Sequence, residues 1–243
     1  MQDQYFGDVN DYRKFGLLRL LTAGTDIRTG ICWMKTAPGK QMNAEKVTYL
    51  STPEKWRDYD PELFTFLHEQ VQRKKDRRVE VIENSGLLRN TTYYSDLLTD
   101  DRDQREAWLE KMHESFEDRD LIFFDPDNGL ETPAAPYGGK HSAKHLYYQE
   151  IGDAYRRGVS VMVFQYFDRP KRDQLTTQET KRLQEATRAR IVLPYETETL
   201  TYFLIPHRRH ASHLQDQGRE ITTTWRGQIS PIKPHSDRTF RSG

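Results

Sequence analysis

Residues 120–131 constrain the fold more than any other stretch. Four apolar residues, Leu121-Ile122-Phe123-Phe124, run straight into Asp125-Pro126-Asp127-Asn128-Gly129. A short apolar run bounded by turn residues reads as a buried strand. Proline cannot donate to a sheet ladder and Asn-Gly favours a turn, so the chain leaves its sheet where two carboxylates stand. In open α/β folds, ligands bind beyond the carboxyl ends of the strands. Asp125 and Asp127 are therefore candidates for chemistry. The plainer alternative is a polar strand exit in which Asp127 and Asn128 serve only the turn.

The rest of the chain fits around that strand as an alternation. Residues 10–22 predict a helix with Leu17, Leu18, Leu20 and Leu21 on its apolar side and Gly24 as a stop. Residues 27–36 predict the first strand, with Ile31 and Trp33 on one face. A polar insertion covers about 37–60. Asp60-Pro61 then opens a helix as cap and first residue, and that helix ends in the basic run 73–78. A short strand is expected at 79–82, and helices at 102–116, 143–157 and 173–189. A second buried strand is expected at 160–167, and a closing pair at 191–193 and 200–205. The fold class that follows is α/β: a Rossmann-like, mostly parallel central sheet with helices on both faces and a terminal antiparallel strand. Residues 1–225 form a single domain in this reading, and residues 226–243 a mobile tail.

Composition removes several function classes. The chain has 243 residues, enough for one large domain. Its 37 basic residues balance 37 acidic ones, so net charge gives no argument for nucleic acid, although local clusters can. Cys32 is the single cysteine, which excludes an internal disulfide and a multi-cysteine zinc site. No apolar stretch approaches membrane-spanning length, and the first four residues do not open a signal peptide. No membrane association is expected, and the cytoplasm is the expected location.

Five clusters can carry chemistry. Gly7, Asp11 and Lys14 belong to the first, where Asp11 and Lys14 share a helix face and Lys14 can hold an anion. An ordinary helix start, capped by Asp8 or Asn10, is the competing reading. The second is the Asp125 loop. A carboxylate and a carbonyl beside a proline can accept hydrogen bonds from an exocyclic amine, as methyl transfer to a base nitrogen needs. The same two aspartates could hold Mg or Mn instead, as in a metal-dependent nuclease. Glu179-Thr180-Lys181 has a nuclease-like spacing but sits in a charged helical pattern. The third is residues 138–145, where glycines and Lys140, Lys144 and His145 surround a helix start expected near Ser142; phosphate contact competes with a plain loop and cap. The fourth is residues 164–169, with Tyr166 as a stacking face near Asp125 and Arg169 as a phosphate contact. The fifth, His207 to His213, reads as a basic surface in preference to a metal site.

Gly7, Asp11 and Lys14 before a leucine-rich helix resemble the opening Gly-Asn-x-x-Asp-x-x-Lys of the bacterial 23S ribosomal RNA adenine-N6 methyltransferases of the J type. Asp125-Pro126-Asp127-Asn128 lies where that family carries Asp-Pro-Pro-Tyr. The order of elements over residues 5–205 is also similar. The chain resembles, too, small bacterial and prophage proteins that share Phe-Asp-Pro-Asp-Asn-Gly. The resemblance implies a Rossmann-like methyltransferase that binds S-adenosylmethionine and acts on an amino group of nucleic acid. It implies Asp125 as the catalytic residue, to which Tyr166 adds a stacking face; Asp127, standing where the family has its second proline, is catalytic in the metal-dependent alternative. Gly7, Asp11, Lys14 and Gly30 would hold the cofactor, with Tyr5 as a lid, and Asn128, Lys140, Lys144 and Arg169 would hold the substrate. Two departures stand out. Asn128 replaces the stacking aromatic, and the loop after the first strand offers only Gly30 and Gly39. A metal-dependent nuclease in a phage-defence or restriction setting, and an inactive nucleotide- or protein-binding module, remain as alternatives.

Overall fold

The computed structural model describes residues 2–37, 45–167 and 172–232. The chain opens with helix α1 (Val9–Leu21) and strand β1 (Thr29–Cys32). Three short helices, α2 (Pro53–Trp56), α3 (Pro61–Leu67) and α4 (Glu80–Glu83), lead to β2 (Thr91–Tyr94). Then come α5 (Arg102–Ser115), β3 (Leu121–Phe124), α6 (Tyr148–Arg156), β4 (Ser160–Tyr166) and α7 (Arg172–Thr187). The hairpin β5 (Leu193–Glu196) and β6 (Leu200–Ile205), helix α8 (Ala211–Thr224) and the two-residue β7 (Ser230–Pro231) close the chain.

The strands form one sheet in the order β2-β1-β3-β4-β6-β5-β7. β2, β1, β3 and β4 are parallel neighbours. β6 runs antiparallel between β4 and β5, and β7 runs antiparallel at the edge. The expected mixed α/β sheet is therefore present, with its main antiparallel strand inside the sheet.

Successive residues of one strand feed two cores, because side chains alternate across a sheet. Leu121 and Phe123 face the core that receives Phe15 and Leu17 of α1, Leu63 of α3 and Ile221 of α8. Ile122 and Phe124 face the core that receives Met112 of α5, Ile151 of α6 and Leu183 of α7. Helices thus cover both faces. The neighbours of β1 are β2 on one side and β3 on the other, so the strand order reverses there. In this architecture ligands bind beyond the carboxyl ends at that switch point.

Several expected boundaries move. Residues 79–82 belong to a turn and helix α4, with Ile82 buried. The edge of β1 is taken instead by Thr91-Thr92-Tyr93-Tyr94, whose β-branched and aromatic side chains suit a pleated surface better. The helix expected over 143–157 begins only at Tyr148. Leu146 is drawn into a bridge with Leu130, its N–H donating to the Gly129 carbonyl at 3.0 Å, and this holds residues 145–147 extended. The described part of the insertion, from residue 45 on, is short helical turns. Residues 226–232, placed in a mobile tail by sequence, are docked. Ile229 is buried and Ser230–Pro231 pair with β5. Residues 233–243 lie outside the described residues.

Candidate functional site

Asp125 is held at the tip of β3 by the sheet itself. Its N–H donates to the Cys32 carbonyl at 2.9 Å, which continues the β1–β3 ladder for one residue, and Pro126 then ends the pairing. The turn that follows needs glycine. Gly129 has φ +90°, and a Cβ there would approach Gln165 Oε1 to 2.6 Å. That oxygen accepts from the Leu130 N–H at 2.7 Å, so β4 braces the loop.

Helix α1 comes to meet this tip. Asp8 caps it, accepting from the N–H groups of Asn10 and Asp11 at 2.8 and 2.9 Å. Gly7, at φ +78°, lets its N–H reach Asp11 Oδ2 at 2.8 Å. Lys14 then projects from α1 with Nζ 2.6 Å from Asp11 Oδ1 and 2.8 Å from Asp125 Oδ2. All three side chains are buried. The ammonium also lies over the rings of Phe15, Trp33 and Phe123, at 4.9–5.7 Å from their centroids.

The charges shift one another. Burial pushes the carboxyls of Asp11 and Asp125 above their ordinary value, and Lys14 opposes the shift. Burial also acts against the charge of Lys14, but Asp11 and Asp125 outweigh it and hold the amine above its ordinary value. Lys14 therefore stays an ammonium. Asp127 sits below the ordinary carboxylate value. Burial would raise it, and hydrogen bonds that include those from Thr36 Oγ1 at 2.6 Å and Gln2 Nε2 at 3.1 Å bring it down.

These groups line a cavity of about 200 Å³ beyond the ends of β3, β4 and β6. Tyr5, Asp11, Lys14, Asp125, Asp127, Asn128, Lys144 and Tyr166 all reach it, so two clusters separated by more than a hundred residues join in one pocket. Asp8, Lys46 and Arg77 bring the lining to four carboxylates and four cations. Sequence reasoning missed Gln2, Lys46, Arg77 and Tyr202 altogether and treated Asn10 only as a cap. Lys46 sits in the polar insertion and Arg77 in the basic run after a helix, and neither stretch has a pattern that points to this pocket.

Of the other expected site residues, Gly7 supports Asp11 without lining the cavity, and two more fall elsewhere. Gly30 is inside β1, paired with Thr92 and Ile122, and its missing Cβ makes room for the Phe116 ring 2.9 Å away. It is a packing glycine and does not line the cavity. Lys140 is exposed and also outside the cavity lining. The N–H groups expected to take a phosphate beside it are already used, since His141 N and Ala143 N each donate to Asp100 at 2.8 Å. This loop is fixed by a buried ion pair, Arg105 to Glu150, with Arg105 also donating to the carbonyls of Ser142 and His145. Arg169 lies outside the described residues.

The histidine cluster lies near the start of β3 and β4, at the opposite end of the sheet. His210 Nε2 is 3.6 Å from Asp120 Oδ1, and the N–H of His207 donates to Ser160 Oγ. Glu179 and Lys181 lie on α7, where Glu179 accepts from Tyr148 and pairs with Arg182. Among the described residues, no group of three or more His, Cys, Asp or Glu side chains could hold a metal ion. Nor is any helix among them long and apolar enough to cross a membrane.

No family model matches the chain, and no curated relative does. Among solved structures, a similar one is protein LPL1258 from Legionella pneumophila str. Philadelphia 1, of the DUF519 family. It is 13% identical over 93% of this chain and 96% of that one, with a TM-score of 0.44. So distant a likeness assigns this chain neither a family nor an activity, and its α/β fold rests on its own strand order.

Proposed function

We propose that the protein transfers methyl groups from S-adenosylmethionine to an amino group of nucleic acid. One observation supports this reading above the others. Lys14 joins the N-terminal cluster to the Asp-Pro loop, 111 residues away, at the switch point of a Rossmann-like sheet. The antiparallel β6 between β4 and β5 agrees with a sheet of the methyltransferase class.

The lining suits the cofactor's charges. S-adenosylmethionine carries a carboxylate, an ammonium and a sulfonium, and the cavity presents both signs. Asp8, Asp11 and Asp127 would take its cationic groups, and Arg77 its carboxylate. When bound, the cofactor supplies an activated methyl group. The chain's own residues do the rest. Asp125 accepts a hydrogen bond from the target amine, and the ammonium it shares with Asp11 keeps it an acceptor against the pull of burial. Tyr166, more than a third exposed, offers a ring to the target base. In this reading Tyr5, which lines the cavity, is the lid, and Lys144 and Asn128 are the phosphate contacts.

The test is transfer of a labelled methyl group from S-adenosylmethionine to total RNA or DNA, paired with calorimetric titration of the cofactor. Label should enter nucleic acid and be lost in Asp125→Asn, which preserves the side chain's size. Failure of the wild-type chain to bind the cofactor or to label any nucleic acid sinks the reading.

A further inference from the structure

Asn10 carries an amide that the fold leaves unused. The residue is 6% exposed and lines the cavity. Its Oδ1 accepts from Thr199 Oγ1 at 3.2 Å and lies 3.5 Å from Arg13 Nη1. A guanidinium only donates, so this contact identifies the carbonyl end of the amide and turns Nδ2 the other way. Nδ2 has no hydrogen-bond partner among the described residues. A buried donor without a partner is costly and uncommon, and calls for a reason.

The neighbours of Nδ2 suggest one. Tyr202 donates its hydroxyl proton to the main-chain carbonyl of Asn10 at 2.9 Å, so to a ligand its oxygen can only accept. Asn10 and Tyr202 both line the cavity, so an amide donor and a phenol acceptor belong to one wall of it. On the same cavity, Tyr166 stands edge-on to Phe164 with 5.4 Å between ring centroids. Lys46 Nζ is 6.0 Å from the Tyr166 ring. A paired donor and acceptor, an open aromatic ring and a cation are what a nucleotide's base edge, base face and phosphate require.

We propose that Asn10 is the base-reading residue of this pocket, its Nδ2 donating to a ring nitrogen or carbonyl oxygen of a nucleobase stacked on Tyr166. The proposal deepens the nucleic-acid reading above and rests on it for the class of ligand. Asn10 stands outside the Gly-x-x-x-Asp-x-x-Lys positions that suggested that reading.

Calorimetric titration of the full chain without S-adenosylmethionine tests it, using the four nucleoside 5′-monophosphates, ribose 5-phosphate and a short single-stranded oligonucleotide. At least one monophosphate should bind about tenfold tighter than ribose 5-phosphate. Asn10→Leu should remove that advantage, a loss of about tenfold, and leave ribose 5-phosphate unaffected. Asn10→Asp, similar in size but reversed in hydrogen-bond polarity, gives the same reading if the leucine variant does not fold. Tyr166→Ala should lose about tenfold through stacking. Tighter binding of the oligonucleotide assigns the base to a strand, and equal binding to a free nucleotide. Monophosphates that bind no better than ribose 5-phosphate overturn the proposal, as do Asn10 variants with wild-type affinity. Asn10-dependent binding in a chain that transfers no methyl group sinks the methyltransferase reading alone. Methyl transfer with an unchanged KM for nucleic acid in Asn10→Leu sinks only the base-reading role.

Discussion

Lys14 is the residue on which the pocket turns. Its ammonium is the charge that Asp11 and Asp125 share, and all three are out of water. Lys14→Met keeps much of the stem's volume among Phe15, Trp33 and Phe123 but leaves two buried carboxylates without their cation. Breaking a buried pair this way costs about 3–5 kcal/mol, which urea unfolding at pH 7 would register. Wild-type stability in that variant would mean the triad is solvated. A second residue governs acid sensitivity. Burial, helped by Arg157, depresses His113 from its ordinary 6.5 to about 4, with Glu110 and Asp153 opposing. The unfolded chain therefore binds this proton more readily than the folded one. The stability contributed by neutral His113 is complete above pH 6.5 and is lost as the pH falls toward about 4, at up to about 1.4 kcal/mol per pH unit. Denaturant midpoints measured across that window should slope less steeply in His113→Gln. His207 and His210, also lowered by burial, keep part of the slope. An identical slope in the variant would remove His113 from the account.

At the scale of elements, α1 and α8 are packed through a missing side chain. A Cβ at Gly16 would run into the Trp225 ring, which also lies 4.9 Å from Tyr12 and stacks on Tyr59. Gly16→Ala should therefore destabilise by about 1–3 kcal/mol through overpacking, despite alanine's better helix propensity. A stabilised variant, followed by tryptophan fluorescence through a thermal melt, would show that the ring has room to move. The long elements were legible in the sequence because their patterns are local. The leucines of α1, the Asp-Pro start of α3 and the apolar runs of β3 and β4 each announce themselves within a few residues. The elements misread depend on distant partners. Residues 79–82 look like a strand until residues 91–94 are seen to occupy the edge of β1 away from β3. Ile229 looks solvated until β5 and α8 are placed beneath it.

At the scale of the whole molecule, the pocket was only half legible for the same reason. Asp125 and Lys14 could be picked out because proline and helical spacing give local signals. Lys46, Arg77 and the open amide of Asn10 could not, because their meaning comes from where the chain folds back. The partners of the carboxylates also carry a prediction about cofactors. Asp125 turns an oxygen to Lys14, and Asp127 turns one to Thr36 and Gln2, so each loop carboxylate already has donors of the chain's own on it. Methyl transfer should therefore proceed unchanged in excess chelator. Loss of activity with EDTA, restored by Mg or Mn, would move the assignment to metal-dependent cleavage. The bridge from α1 to β3 also bears on how this chain is made. Lys14 is synthesised 111 residues before Asp125, a delay of roughly 6–22 s at ordinary translation rates. Until then its ammonium has Asp11 but not the second carboxylate, and α1 has no β3 to cover its apolar side. The N-terminal helix must therefore wait, its leucines in need of shelter, and the pocket closes only after β3 has left the ribosome.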